Sequence, residues 1–107
     1  MLYHTPEKLN ELIDFNDESI NKKILMQNEN SFAMLAALKK NQKMPQHTSN
    51  TDAFIYILEG EIDFFIFDEK GDNKEFNLDK NEVLFFKKDE LHSLTAKKDS
   101  KFLVVRI

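Results

Sequence analysis

The sequence has no cysteine and only two glycines and two prolines. The absence of cysteine excludes disulfide bridges, thiolate metal sites and thiol nucleophiles together. The glycines do not form the glycine-rich loop that cradles phosphate groups, so nucleotide binding by that device has no support. The chemistry available to this chain therefore rests on histidine, carboxylate, hydroxyl and apolar side chains.

Long apolar runs are also absent. No stretch approaches the roughly 20 apolar residues of a membrane-spanning helix, and the first residues, MLYHTPEKLNEL, lack the cationic start and apolar centre of a secretory signal. These absences predict a cytoplasmic location and no membrane partner.

A concentrated basic face is missing as well. The net charge is −4 at pH 7, and the lysines occur as scattered pairs, for example Lys22-Lys23, Lys39-Lys40 and Lys87-Lys88. A polyanion needs clustered positive charge, and an acidic protein repels it at long range. We therefore expect no nucleic-acid partner.

The 107 residues include ten phenylalanines, and 41% of the chain is hydrophobic, which is enough for one packed core. We expect a single domain over 1–107, with a helical lead-in over 1–17 and a β-barrel over 18–107. Within the lead-in, Thr5-Pro6-Glu7 is typical of a helix start. Leu9, Leu12 and Ile13 follow at helical spacing, which predicts a short amphipathic helix ending near Phe15.

Short runs rich in β-branched and aromatic residues occupy the rest of the chain and predict eight strands, at 19–28, 31–39, 53–58, 61–68, 73–78, 82–86, 91–95 and 101–107. Eight strands at this spacing indicate a barrel or a sandwich. Gly60 and Gly71 each lie between two of these runs, and we interpret both as hairpin turns.

The run AFIYILEGEIDFFIF is apolar on both faces of its two strands. One core can cover only one face, so the outward side chains need a second cover. Either the N-terminal segment or a second copy of the chain could provide it, and we expect a homodimer. These outward side chains are Phe54, Tyr56, Leu58, Phe65 and Phe67.

The stretch HTSNTDAFIYILEG resembles the first motif of the cupin superfamily. In that family two histidines and a glutamate face inward to hold a metal, and a glycine follows; those positions fall on His47, Ser49, Ala53 and Gly60 here. The stretch NEVLFFKKDELH aligns with the second motif and keeps only its histidine, His92. The resemblance implies an all-β fold, a cupin-like double-stranded β-helix (jelly-roll-type) barrel, here with a short N-terminal helix, and often a homodimer.

The resemblance also implies that His47 and His92 face one interior pocket. Counted from these two, the other pocket positions are Ser49, Ala53, Ile55, Phe64 and Leu94. Family members mostly hold first-row divalent metals, so Fe, Mn, Ni or Zn is a possible cofactor, with His47 and His92 as ligands. Asp52 is a possible third ligand, although it lies one residue out of phase with Ala53 and would need a bulge to turn inward.

Two functional interpretations remain open from the sequence. One is a non-catalytic protein that binds a small molecule in an apolar barrel, because two of the four family ligand positions are lost. The other is a metal-dependent enzyme of oxygenase or isomerase type with a reduced ligand set. A filled barrel interior would favour a third class, a structural dimer without any ligand. Whether the protein is an enzyme is not decided by the sequence.

Overall fold

The structure, a computed structural model, describes residues 3–107. Within this range nine antiparallel strands build two sheets, which confirms the all-β prediction. Met1 and Leu2, part of the predicted lead-in, lie outside the described residues. The strands are β1 (Asn21–Gln27), β2 (Phe32–Leu38), β3 (Lys43–His47), β4 (Ala53–Glu59), β5 (Glu61–Phe67), β6 (Lys74–Asp79), β7 (Val83–Phe86), β8 (Leu91–Ala96) and β9 (Ser100–Arg106).

The two sheets enclose one apolar interior. The first sheet has the strand order β1-β2-β9-β4-β7 and the second β3-β8-β5-β6. Alternate side chains of β4 point inward, as the period of a strand requires, and Ile55 and Ile57 are completely buried. Phe64 from the second sheet and Phe102 from the first pack into the same cluster.

Gly60 does not form the predicted hairpin, because β4 and β5 belong to different sheets. It instead turns the chain from one sheet to the other with φ at +90°, and an added Cβ would overlap Ser100 and the backbone carbonyl of Asp99. The prediction for Gly71 is correct, since β5 and β6 pair on either side of it.

The predicted N-terminal helix is wrong. Only a 3-10 turn at Leu9–Glu11 forms, and its N-cap residue, Lys8, makes no side-chain capping bond. An isolated helix this short is only marginally stable in water. Burying the apolar side chains of the segment against the outer face of the first sheet stabilises the chain more than the helix would. Ile13 is buried there against Leu35 and Ala37. The described residues contain no helix long and apolar enough to cross a membrane.

Strand β3 was not predicted. It is an edge strand that pairs only with β8, its register shifts between Met44 and His47, and it contains Pro45. Proline in an apolar-poor run argues against a strand, although edge strands and bulges tolerate it. The missed strand matters because it ends at His47.

The N-terminal segment covers part of the outer face of the first sheet, including Leu58. A row of paired residues beyond it remains open, and among these Phe85 is 72% exposed. Phe65 and Phe67, on the second sheet, are half-buried and stack on each other. The open row crosses all five strands through Met26, Ala33, Val105, Phe54 and Phe85.

Candidate functional site: the histidine end of the barrel

His47 and His92 lie side by side at one end of the barrel. They are direct partners in the pairing of β3 with β8, and paired residues point to the same face of a sheet. Their ring centroids are 4.2 Å apart with an angle of 63° between the rings. His92 is only 2% exposed, whereas His47 is half-buried. The structure thus brings together the two histidines singled out by the sequence.

The backbone orients both imidazoles in the same way. The Nδ1 atom of His47 lies 2.8 Å from the carbonyl oxygen of Pro45, and that of His92 lies 2.9 Å from the carbonyl oxygen of Glu90. A carbonyl oxygen can only accept, so each Nδ1 carries the hydrogen and donates it. Within residues 3–107, no side chain or amide bonds the Nε2 atom of either ring. In the neutral ring Nε2 is then a free acceptor.

Aromatic rings surround the buried imidazole. Phe64 stacks on His92 with centroids 5.5 Å apart, and Phe86 approaches it at 4.7 Å. Burial lowers the pKa of His92, and its hydrogen bond to the Glu90 carbonyl opposes this only in part. His92 is therefore neutral at pH 7.

Four other predicted pocket residues, Ala53, Ile55, Phe64 and Leu94, are all buried in the interior cluster. Ser49 is buried too, but its hydroxyl closes the turn before β4. Its Oγ donates to the Thr51 carbonyl at 2.8 Å and accepts from the Thr51 amide at 3.3 Å.

Asp52 is exposed, and its Oδ1 accepts a hydrogen bond of 3.0 Å from the amide of Lys88. Across the described range 3–107, no three histidine, cysteine or acidic side chains are grouped so that they could hold a metal ion. Two imidazoles fall short of the three protein ligands of a typical catalytic metal site. The side chains present do not fit such a site, and we derive no reaction step through a metal.

A groove of about 820 Å³ opens next to the histidine pair. Thr48 and Leu91, the chain neighbours of His47 and His92, line it, and the ring of Phe86 separates it from His92. Sequence reasoning assigned Phe86 to a strand but missed this role. Its inward position in the short strand β7 is the signal that could have indicated it. The charged rim of the groove consists of Asp68, Glu69, Asp72, Lys74, Lys87, Asp89 and Glu90.

The comparisons with known proteins bear on the fold. No family model matches the chain, and no curated protein matches it. Among solved structures, a conserved protein of unknown function from Streptococcus pyogenes is similar, with a TM-score of 0.89, 19% identity, and coverage of 100% of this chain and 90% of that chain. A cupin superfamily protein from Desulfitobacterium hafniense gives 0.89 and 19%, covering 100% and 94%.

An oxalate decarboxylase from Bacillus subtilis is similar as well, with a TM-score of 0.76 and 20% identity over 85% of this chain and 26% of that one. These relatives therefore include both a protein of unknown function and an enzyme. At such identities the shared property is the path of the backbone. The two-sheet barrel described above has the cupin fold.

Proposed function

We propose that this protein binds a small organic molecule at the histidine end of its barrel and performs no chemistry on it. The observation that carries the proposal is the pair of imidazoles whose Nδ1 atoms are fixed by backbone carbonyls while both Nε2 atoms lack a partner within the described chain. An unprotonated ring nitrogen accepts hydrogen bonds from hydroxyl and amine groups. A hydroxyl or amine of a ligand would satisfy these two acceptors.

The surroundings of the pair support this function. Small-molecule sites have mostly apolar walls, a few fixed polar groups and volumes of roughly 300–1,000 Å³. The groove of about 820 Å³ has Phe86, Ile66 and Leu84 among its walls; Phe86 contacts His92 and Ile66 pairs with it, although neither imidazole lines the groove itself. The predicted pocket residues Ala53, Ile55, Phe64 and Leu94 fill the barrel behind it, so the ligand would occupy the end of the barrel and not its centre.

Native mass spectrometry of untagged protein, run beside elemental analysis, tests the proposal. We expect an organic mass that is lost in a His47→Gln, His92→Gln variant. The matched control is Ser93→Ala, which alters the opposite face of β8 and should keep the mass. Protein that carries no such mass, and whose His92 ring signals are unmoved by a library of small organic fragments, would contradict the proposal.

A second candidate function is metal-dependent chemistry of oxygenase or isomerase type with Fe, Mn, Ni or Zn, which would need a ligand beyond the two imidazoles to complete the site. The hydrogen bonds from Nδ1 to backbone carbonyls favour it, because metal-binding histidines are commonly oriented in this way. One solved structure of the Bacillus subtilis oxalate decarboxylase concerns its Mn(II) centres. A stoichiometric metal that survives purification and is lost in the double histidine variant would establish this candidate in place of the first.

We also propose that two copies associate through the open row on the outer face of the first sheet. An apolar groove of about 480 Å³ lies there between Phe54, Phe85, Val105 and Ile107, and such patches usually mark interfaces. Sedimentation should show a dimer at micromolar concentration, and Phe85→Glu should give a folded monomer. A monomeric parent protein would contradict the homodimer. The cytoplasmic location stays a prediction.

A further inference from the structure

Arg106 is the only arginine of the chain; all other strongly basic side chains are lysines. Its place in the register is unusual for a charged residue. It pairs with Phe32 on one side and Ala53 on the other, and Ala53 pairs with Phe86. Ala53 and Phe86 belong to the buried interior, and paired residues share a face. The one arginine therefore faces into the barrel at the histidine end.

The guanidinium of Arg106 has no counter-charge among the described residues. In the part of the chain described, it makes neither a salt bridge nor a hydrogen bond, and its Nε atom is buried without a partner. Its Cζ lies 4.8 Å from the centre of the Phe32 ring, which supports the cation from one face only. Burial lowers its pKa, and no carboxylate opposes that effect. Arginine stays charged regardless, so an uncompensated positive charge lies at this end.

Thr51 supplies a second donor without an acceptor. Its Oγ1 and the Arg106 Nε are the two buried side-chain polar atoms of the described residues that lack a hydrogen-bond partner. Thr51 lies two residues before Ala53, and the Ile107 amide bonds the Asp52 carbonyl at 3.1 Å. The backbone thus holds both orphan donors at the junction of β4 and β9. An anion would satisfy both a hydroxyl and a guanidinium that lack partners.

We propose that Arg106 and Thr51 form the anion subsite of the ligand site at the histidine end, and that the ligand is a small organic carboxylate. The inference rests on the proposed binding function and names its ligand class. In the interior row of paired residues Phe32, Arg106, Ala53 and Phe86, Ala53 has the smallest side chain and lies between Arg106 and Phe86. Phe86 in turn contacts His92. The register thus places the guanidinium in the same interior row as Phe86, whose ring contacts His92.

A carboxylate suits this subsite better than a phosphate. The planar guanidinium can pair through two bonds with a carboxylate or with a phosphate, so the difference between them lies in charge and size. The adjoining cavity is small, about 180 Å³, and the Phe32 ring and the Glu29 side chain are among its walls. Desolvating a dianion beside the Phe32 ring and the Glu29 carboxylate costs more free energy than desolvating a monoanion there. Asn50 and Ser31 in the same cavity offer further polar contacts.

The single arginine makes the test specific, because its Nε–H group gives one assignable signal in a ¹H–¹⁵N spectrum. Butyrate, its neutral isostere butyramide and inorganic phosphate are titrated separately into the whole protein. We expect butyrate to shift the Arg106 Nε and His92 ring signals saturably, and to bind at least about tenfold more tightly than butyramide or phosphate, a difference of about 1.4 kcal/mol.

Variants locate the effect. Arg106→Gln should abolish the preference for butyrate over butyramide, and Arg106→Lys should restore it only in part, because an ammonium lacks the planar fork. Lys22→Gln removes the same charge from an exposed position of β1 and should leave binding unchanged.

Each remaining outcome decides against the inference. Equal binding of butyrate and butyramide excludes an anion subsite, and tighter binding of phosphate excludes the carboxylate class. If butyrate shifts the His92 signals while the Arg106 signal stays fixed, the inference is wrong and the proposed binding function stands. If butyrate shifts neither signal, the carboxylate class is wrong, and the native mass measurement decides on the binding function independently.

Discussion

The two ends of the barrel differ in whether their buried polar atoms are hydrogen-bonded. At the end where β4 passes into β5, Ser100 is completely buried, and its Oγ lies 2.7 Å from the Lys98 carbonyl and accepts from the Glu61 amide at 2.9 Å. At the other end, Thr51 Oγ1 and Arg106 Nε are buried without partners within the described chain. Strand β9 begins at the hydrogen-bonded Ser100 and ends at Arg106, whose Nε has no partner in the part of the chain described. The first end is fully hydrogen-bonded at Ser100, and the second is the end at which we propose that a ligand binds.

Truncating the packed interior should have the largest effect. Phe102→Ala removes a completely buried ring and should lower the free energy of unfolding by about 3–5 kcal/mol. Denaturant-induced unfolding followed by circular dichroism measures it. A loss below about 1 kcal/mol would mean that the interior is not packed as described.

The turn at the Ser100 end should be the next most sensitive. Gly60→Ala meets both a positive φ and the overlap with Ser100, whereas Gly71→Ala, at φ +84° with open space around it, meets only the first. Each backbone penalty is of order 1–3 kcal/mol, and overpacking adds about 1–3 kcal/mol at Gly60 alone. The same unfolding measurement should rank Gly60→Ala below Gly71→Ala in stability, and equal values would contradict the close contact.

Removing the cation at the histidine end should have little cost. Arg106→Met deletes an uncompensated, partly buried charge and keeps an apolar side chain against Phe32, so we expect the stability of the ligand-free protein to change by less than about 1 kcal/mol or to rise. A loss as large as that of Phe102→Ala would show that Arg106 is a structural residue, and the contrast between the two ends would disappear.

The pH dependence of stability tests the burial of His92. Because burial lowers the pKa of His92 in the folded state, the unfolded chain takes up a proton first, below about pH 6.5. The contribution of neutral His92 is thus fully present above pH 6.5 and is lost as the pH falls towards the folded-state pKa. Each pKa unit of lowering corresponds to about 1.4 kcal/mol.

Thermal unfolding of the parent protein and His92→Gln between pH 8 and pH 5 isolates this term. The parent should lose stability more steeply than the variant as the pH falls. Parallel curves would contradict a buried neutral imidazole.

The sequence predicted those features that depend on residues close together along the chain. The sequence analysis placed Ile55 in the interior and, through the family resemblance, His47 and His92 in one pocket; in the structure Ile55 is buried and the two imidazoles are neighbours. The sheet to which a strand belongs is a long-range property, so the role of Gly60 as a crossing between sheets was not readable.

Tertiary packing overrode local signals elsewhere. The segment that begins at Thr5-Pro6-Glu7 does not form the predicted helix, because Ile13 is buried on the first sheet instead. Strand β3 was not predicted because it contains Pro45, and its pairing with β8 stabilises it. The inward position of Arg106 depends on its pairing with Ala53, about fifty residues away along the sequence. The part of the site that the sequence analysis did not predict is therefore the part formed by pairing between strands that are far apart in the sequence.

The tautomers of the two histidines test the central claim most directly. Long-range ¹H–¹⁵N correlation spectra at pH 8 distinguish a ring nitrogen that carries hydrogen from one that does not. We predict that Nδ1 is protonated and Nε2 is a bare acceptor in both His47 and His92, as the bonds to the Pro45 and Glu90 carbonyls require. Hydrogen on Nε2 and none on Nδ1, in either ring, would contradict the open acceptor pair on which the proposed function rests.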